Sequence, residues 1–167
     1  MSEFDAGIAE RTDISSIEAG QHEADDPTAD GTMRAALIGL PDAVFDAAFR
    51  LAHLITQDDD VACEAVVAGC SLVLAGGSER RSSLRLELLD AVLRCADRLA
   101  PGLDPADYLV APLAWTNVCA AADRHTRDSL ALALAAHCST TDIAEILGLS
   151  RSDVCRHLRD ALCRPPA

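Results

Sequence analysis

STTDIAEILGLSRSDVCRHLRDAL, residues 139–162, is the stretch that decides the fold. Ser139 and Asp142 stand at capping-box spacing, and Ile143, Ala144, Ile146 and Leu147 follow as an apolar stripe of helical period. Gly148 stops that helix, because glycine takes the left-handed conformation beyond a helix end without steric cost. Leu149 can plug the corner, and Ser150 opens a second capping box with Asp153. The next helix puts Val154, Leu158, Ala161 and Leu162 on one face, at i, i+4, i+7 and i+8. Capped helix, glycine turn and second capped helix form the helix-turn-helix pattern, whose second helix can enter a major groove. An ordinary helical hairpin in a bundle satisfies the same pattern.

Working outward, an entry helix is expected from about Arg124 to His137, inward on Leu130, Leu134 and Cys138. Before it, Pro101, Gly102 and Pro105 interrupt the pattern, and Pro112 should kink or split a helical stretch over 105–122. Three amphipathic helices precede that break. The first runs from about Ala43 to Thr56, inward on Phe45, Ala48, Phe49, Ala52 and Ile55. The second, Val61 to Ala75, carries a seam of Cys63, Val66, Val67, Cys70, Val73 and Leu74. The third is capped by Ser82 and Ser83 and runs to about Ala100, inward on Leu84, Leu88, Ala91, Val92, Cys95 and Leu99. Residues 1–32 are polar and acidic and are read as a disordered arm with a weak helix near Ile8–Ile17. The expectation is therefore all-α: an acidic arm (1–32), a three- to four-helix bundle (33–100), a partly helical connector (101–122) and a helix-turn-helix domain (123–167).

Charge is distributed against a strong DNA grip. The chain carries −13 overall. Residues 1–30 contribute −8, 31–77 contribute −4, 78–119 contribute −1, and 120–167 balance to zero. Phosphate neutralisation supplies most non-specific DNA affinity, so binding to naked DNA should be weak. If the second helix of the motif meets DNA, its reading face comprises Arg151, Ser152, Cys155, Arg156 and Arg159. Arginine suits guanine edges and phosphates through its fixed fork of donors. The plainer reading is a solvated helix surface with an Arg156–Asp160 pair at i,i+4. Arg80, Arg81 and Arg85 form the other basic cluster, read either as a solvated helix start or as a nucleic-acid contact.

The seven cysteines include no CxxC pair and no zinc-finger spacing. Buried reduced thiols are expected rather than a metal site at His137, Cys138, Cys155 and His157. No cofactor and no enzyme activity are expected, since neither a nucleophile elbow nor a phosphate-cradling glycine loop is present. No apolar run reaches the roughly 20 residues of a membrane span, and the expected location is the cytoplasm.

Bundle, interrupted connector and C-terminal motif together resemble a bacterial RNA polymerase sigma factor of the small extracytoplasmic-function class. TTDIAEILGLSRSDVCRHLRDAL is similar to that family's promoter-reading domain, and DRHTRDSLALALAAHCS occupies the place of its entry helix. RLAHLITQDDDVACEAVVAGCSLVLA, Arg50 to Ala75, resembles its polymerase-binding helix pair. The resemblance implies a transcription regulator that acts with core RNA polymerase and contacts promoter DNA, weakly without polymerase. It implies polymerase contacts at Asp59, Asp60, Glu64 and Val67, and an anti-sigma or sigma partner. The chain departs from the family where a polar–acidic pair and an aromatic are usual, having Val67, Ala68 and Cys70. The segment directly after Gly77 keeps Arg80, Arg81 and Arg85 but has no aromatic to stack on unpaired bases, a contact worth on the order of 1–3 kcal/mol per base. The motif also resembles LuxR-type regulators. Two alternatives follow: a sigma-derived interaction protein that does not read DNA, and a LuxR-like regulator that dimerises through the 61–75 seam.

Overall fold

Seven α-helices, with no strand among the described residues, make up a computed structural model that describes residues 27–76, 81–100 and 123–163. They are α1 (Pro27–Ile38), α2 (Asp42–Thr56), α3 (Asp59–Leu74), α4 (Leu84–Leu99), α5 (Arg124–Leu134), α6 (Thr140–Leu147) and α7 (Arg151–Leu162). The expected helix near Ile8–Ile17, the connector at 101–122, Arg80 and Cys119 lie outside the described residues. α1 begins at Pro27, so the last residues assigned to the arm are helical.

Polar side chains begin most of these helices. Asp58 caps α3 by accepting from the Val61 N–H, and Ser83 caps α4 by accepting from the Leu86 N–H. Asp123 caps α5 through Thr126, while Ser139 and Asp142 form the full reciprocal box at α6. Each such cap satisfies backbone donors that the helix leaves unpaired, and is worth typically about 1 kcal/mol. Gln57, at φ 55°, ends α2, and its side-chain amide donates to the Leu54 carbonyl at 2.8 Å.

α4 is the centre of the molecule. It packs on α2 and α3 through one side and on α6 through another, and α5 in turn meets α2, α6 and α7. Leu86, Leu88, Leu89, Ala91, Val92, Leu93, Cys95 and Ala96 are all buried. Leu84 is half-buried and Leu99 reaches solvent, so the inward face is broader than expected and set back from the helix ends.

The inner face of α3 is turned relative to the expected seam. Ala62, Ala65, Gly69 and Val73 are buried, whereas Cys63 is exposed and Val67 is 66% exposed. The helix is apolar nearly all round, so hydrophobic spacing could not choose the face; close approach did. A Cβ on Gly69 would lie 2.6 Å from Val92 Cγ2 and 3.1 Å from the Val92 nitrogen, so α3 and α4 nearly touch there. In α2 the buried apolar set is Val44, Ala47, Ala48, Leu51, Ala52 and Ile55, with Phe45 and Phe49 half-buried at its edge.

No helix among the described residues is long and apolar enough to cross a membrane.

Candidate functional site

The turn between α6 and α7 follows the sequence pattern closely. Gly148 sits at φ 65°, and the Leu149 N–H donates to the Ala144 carbonyl at 2.9 Å, which closes the helix end. Leu149 packs against the core from a half-buried position. Ser150 Oγ accepts from the Asp153 N–H at 3.1 Å and donates to Asp153 Oδ2 at 2.6 Å. That hydroxyl, aided by Arg156, holds the Asp153 carboxyl below its usual range, so it stays ionised.

α7 anchors on Val154 and Ala161, both buried, with Leu158 half-buried beside them. Leu162, expected on this inner face, is 64% exposed, because the helix ends there and runs past its partners. Arg151, Ser152, Cys155, Arg156 and Arg159 are all exposed, as one outward surface. Arg156 pairs with Asp153 at 2.7 Å rather than with Asp160. Helical side chains lean toward the N-terminus, and Asp153 is held in place by the cap, so the i−3 carboxylate is the easier reach. His157 is half-buried, with Nδ1 2.8 Å from Thr126 Oγ1, which also donates to Asp123 Oδ2 at 3.0 Å. The start of α5 is thereby tied to the middle of α7.

Arg81 and Arg85 fit neither expectation made for them: they are neither solvated nor turned outward. Arg81 Nη2 donates to Asp90 Oδ2 and to the Ile146 carbonyl, each at 3.1 Å. Arg85 Nη2 donates to the Ala136 carbonyl at 3.1 Å, and its other terminal nitrogen lies 3.7 Å from Asp142. Ser82 binds both oxygens of Glu145, through its backbone N–H and, at 2.8 Å, its hydroxyl. On the same joint, Asp97 accepts from Arg124 at 2.7 Å and from Arg127 at 2.6 Å. Arg127 and Arg124 also reach Asp128, which is 2% exposed. Burial pushes the Asp128 carboxyl up; Arg127 opposes that, and Asp97 adds to it.

These pairs join α4 to the C-terminal helices and were not anticipated. The available sign was the placement of Asp90 between Leu89 and Ala91, and of Asp128 just before Ser129 and Leu130. A charge inside an apolar helix face needs a partner from elsewhere in the chain.

Asp59, Asp60 and Glu64 are exposed on α3 together with Val67, and Asp59 lies 3.1 Å from His53 Nδ1. Asp60, Glu64 and Val67 share a helical face at i, i+4 and i+7. Of the cysteines, Cys95 and Cys138 are buried and Cys70 half-buried, whereas Cys63, Cys155 and Cys163 are exposed. Burial raises the Cys138 thiol, partly offset by Arg85. Of the residues weighed as metal ligands, His137 and Cys155 are exposed and His157 is engaged with Thr126. No cluster of three or more His, Cys, Asp or Glu able to hold a metal occurs among the described residues.

Comparison with protein-family models, with curated proteins and with solved structures found no match to this chain.

Proposed function

We propose that the chain is a transcription regulator of sigma-like architecture, acting with RNA polymerase, in which α7 is the promoter-contacting helix. The observation that carries this reading is the packing of α7. Its inner face is anchored by Val154 and Ala161 while Arg151, Ser152, Cys155, Arg156 and Arg159 stay exposed together. α4 covers α6, so that surface is left open. Two of the arginines that would grip a separated strand, Arg81 and Arg85, are committed to the internal joint. DNA contact is accordingly assigned to α7, without strand separation by this cluster. The exposed Asp59, Asp60, Glu64 and Val67 are the proposed polymerase surface.

The test uses the full-length chain with purified core RNA polymerase. Stoichiometric retention of core, and a promoter footprint that weakens and loses salt dependence in the Arg156→Ala/Arg159→Ala variant, is the expected result. Surface substitutions of this kind change stability by only about 0.5 kcal/mol or less, so the variant should remain folded. Retention of core with unchanged promoter occupancy would remove α7 as the reading helix.

One observation favours a second reading, a sigma-derived partner of polymerase, a sigma factor or an anti-sigma factor that does not read DNA. Asp153 neutralises Arg156 at 2.7 Å and presents a carboxylate toward any approaching phosphate. A specific footprint by the purified chain alone would eliminate that reading.

A further inference from the structure

Behind the Gly148 turn, between α4, the start of α5 and the end of α6, lies a cleft of about 500 Å³. Small-molecule sites commonly occupy about 300–1,000 Å³, so this space suits a compact organic ligand. Its charged walls are unbalanced. Arg81, Arg94 and Arg124 line it with Asp90 and Asp128, and with Arg127 and Asp97, which pair with them, four guanidinium groups share three carboxylates, an excess of positive charge within a chain that is −13 overall. A cation is disfavoured there and an anion favoured.

The donors needed for an anion are present. Arg94 pairs with Asp90 through Nη2 at 2.9 Å, while its buried Nε has no hydrogen-bond partner among the described residues. Arg124 makes its ion pairs through Nε and Nη2. Neither Arg94 nor Arg124 uses its other terminal nitrogen in these pairs, and both side chains reach solvent, so each keeps a donor with which an oxyanion forms a charge-assisted bond. Leu93, Ile146 and Leu147 supply an apolar wall, which suits a ligand with a short hydrocarbon or ring portion beside its charged head.

We propose that this cleft binds a small organic oxyanion, a carboxylate or a phosphate monoester, with its head at Arg94 and Arg124 and its apolar part on Leu93, Ile146 and Leu147. The site is independent of whether α7 reads DNA. Its far wall is the turn that sets the direction of α7, and an occupant bridges that turn to α4.

Calorimetric titration of the full-length chain with benzoate, phenyl phosphate and benzylamine tests the assignment. The expected result is saturable binding of benzoate or phenyl phosphate and none of benzylamine, the stronger of the two anions naming the head group. Arg94→Gln should weaken that binding about tenfold or more. Arg124→Gln should weaken it as well, and it leaves Arg127 on both Asp97 and Asp128, so the fold has an independent hold. Arg98→Gln, on the same helix but outside the cleft, should leave binding unchanged. No saturation by either anion up to about 10 mM, equal binding of benzylamine, or unchanged affinity in both cleft variants would overturn the proposal.

Discussion

The two sides of α4 hold their neighbours by different physics. Toward α3 the contact is dry and close, with Gly69 against Val92 and small side chains at Ala62 and Ala65. Toward the C-terminal helices it is charged, with Asp90 and Asp97 drawing in Arg81, Arg124 and Arg127. Asp90 and Val92 are two positions apart and so lie on different faces of one helix. The dry side depends on shape and tolerates little change in volume. The charged side depends on partners, and fails when one charge is left without its counterpart.

The sharpest break in this contrast is Asp90→Ala. Asp90 is 5% exposed and receives both Arg81 and Arg94, so its loss leaves two guanidinium groups uncompensated. A loss of about 3–5 kcal/mol is expected from urea unfolding, the usual effect of removing one partner from a buried ion pair. A loss below about 1 kcal/mol would mean that the Asp90 pairs add little to the joint.

Gly69→Ala probes the other side. Helix propensity alone favours alanine by about 1 kcal/mol, yet the new methyl would sit against the Val92 side chain and backbone. The net expectation is a loss of about 1–2 kcal/mol, because overpacking outweighs propensity. Val92→Ala in the same chain should recover part of it, since Cγ2 is the nearest obstacle while the backbone contact stays. A stabilised Gly69→Ala variant would show that α3 and α4 can separate freely.

The smallest expected effect concerns pH. Asp128 has its carboxyl raised above the usual 3.8, chiefly by burial, so the folded state binds that proton more tightly than the unfolded chain. Stability from this group is therefore full below the unfolded value and falls as pH rises from about there through the folded value. Asp128→Asn should flatten that part of the stability–pH curve relative to wild type. An unaltered difference across the window would place the Asp128 charge outside the folding linkage.

Much of the C-terminal half is legible in the sequence. Ser139, Asp142, Gly148 and Ser150 act locally, within a turn of the residues they cap, and local signals survive in sequence. The inward faces of α2 and α3 were displaced for a physical reason. Ala62, Ala65 and Gly69 were selected by how near α4 must come, which hydropathy does not register, whereas Val67 scored as core and lies in solvent. Leu134 and Leu162 obeyed the apolar period but sit at helix ends that outrun their partners. The charged joint had no periodic signature at all. Arg81 and Arg85 looked like surface residues because their partners lie on α4 and far along the chain. The residues expected on the outer surface of α7 are exposed, while the partner of Arg156 is set by the Ser150 cap rather than by i,i+4 spacing.

The bond from Arg81 to the Ile146 carbonyl spans 65 residues. The ribosome releases α2, α3 and α4 well before that carbonyl exists, and their mutual contacts are nearer in sequence and cheaper in loop entropy. The newly made amino-terminal helices thus form their dry contact first, with Ser82 and Arg85 held by water and Asp90 already paired with Arg81 and Arg94. Arrival of Glu145 and Ile146 exchanges that water for protein, so closure of the joint is a late event in the life of each molecule.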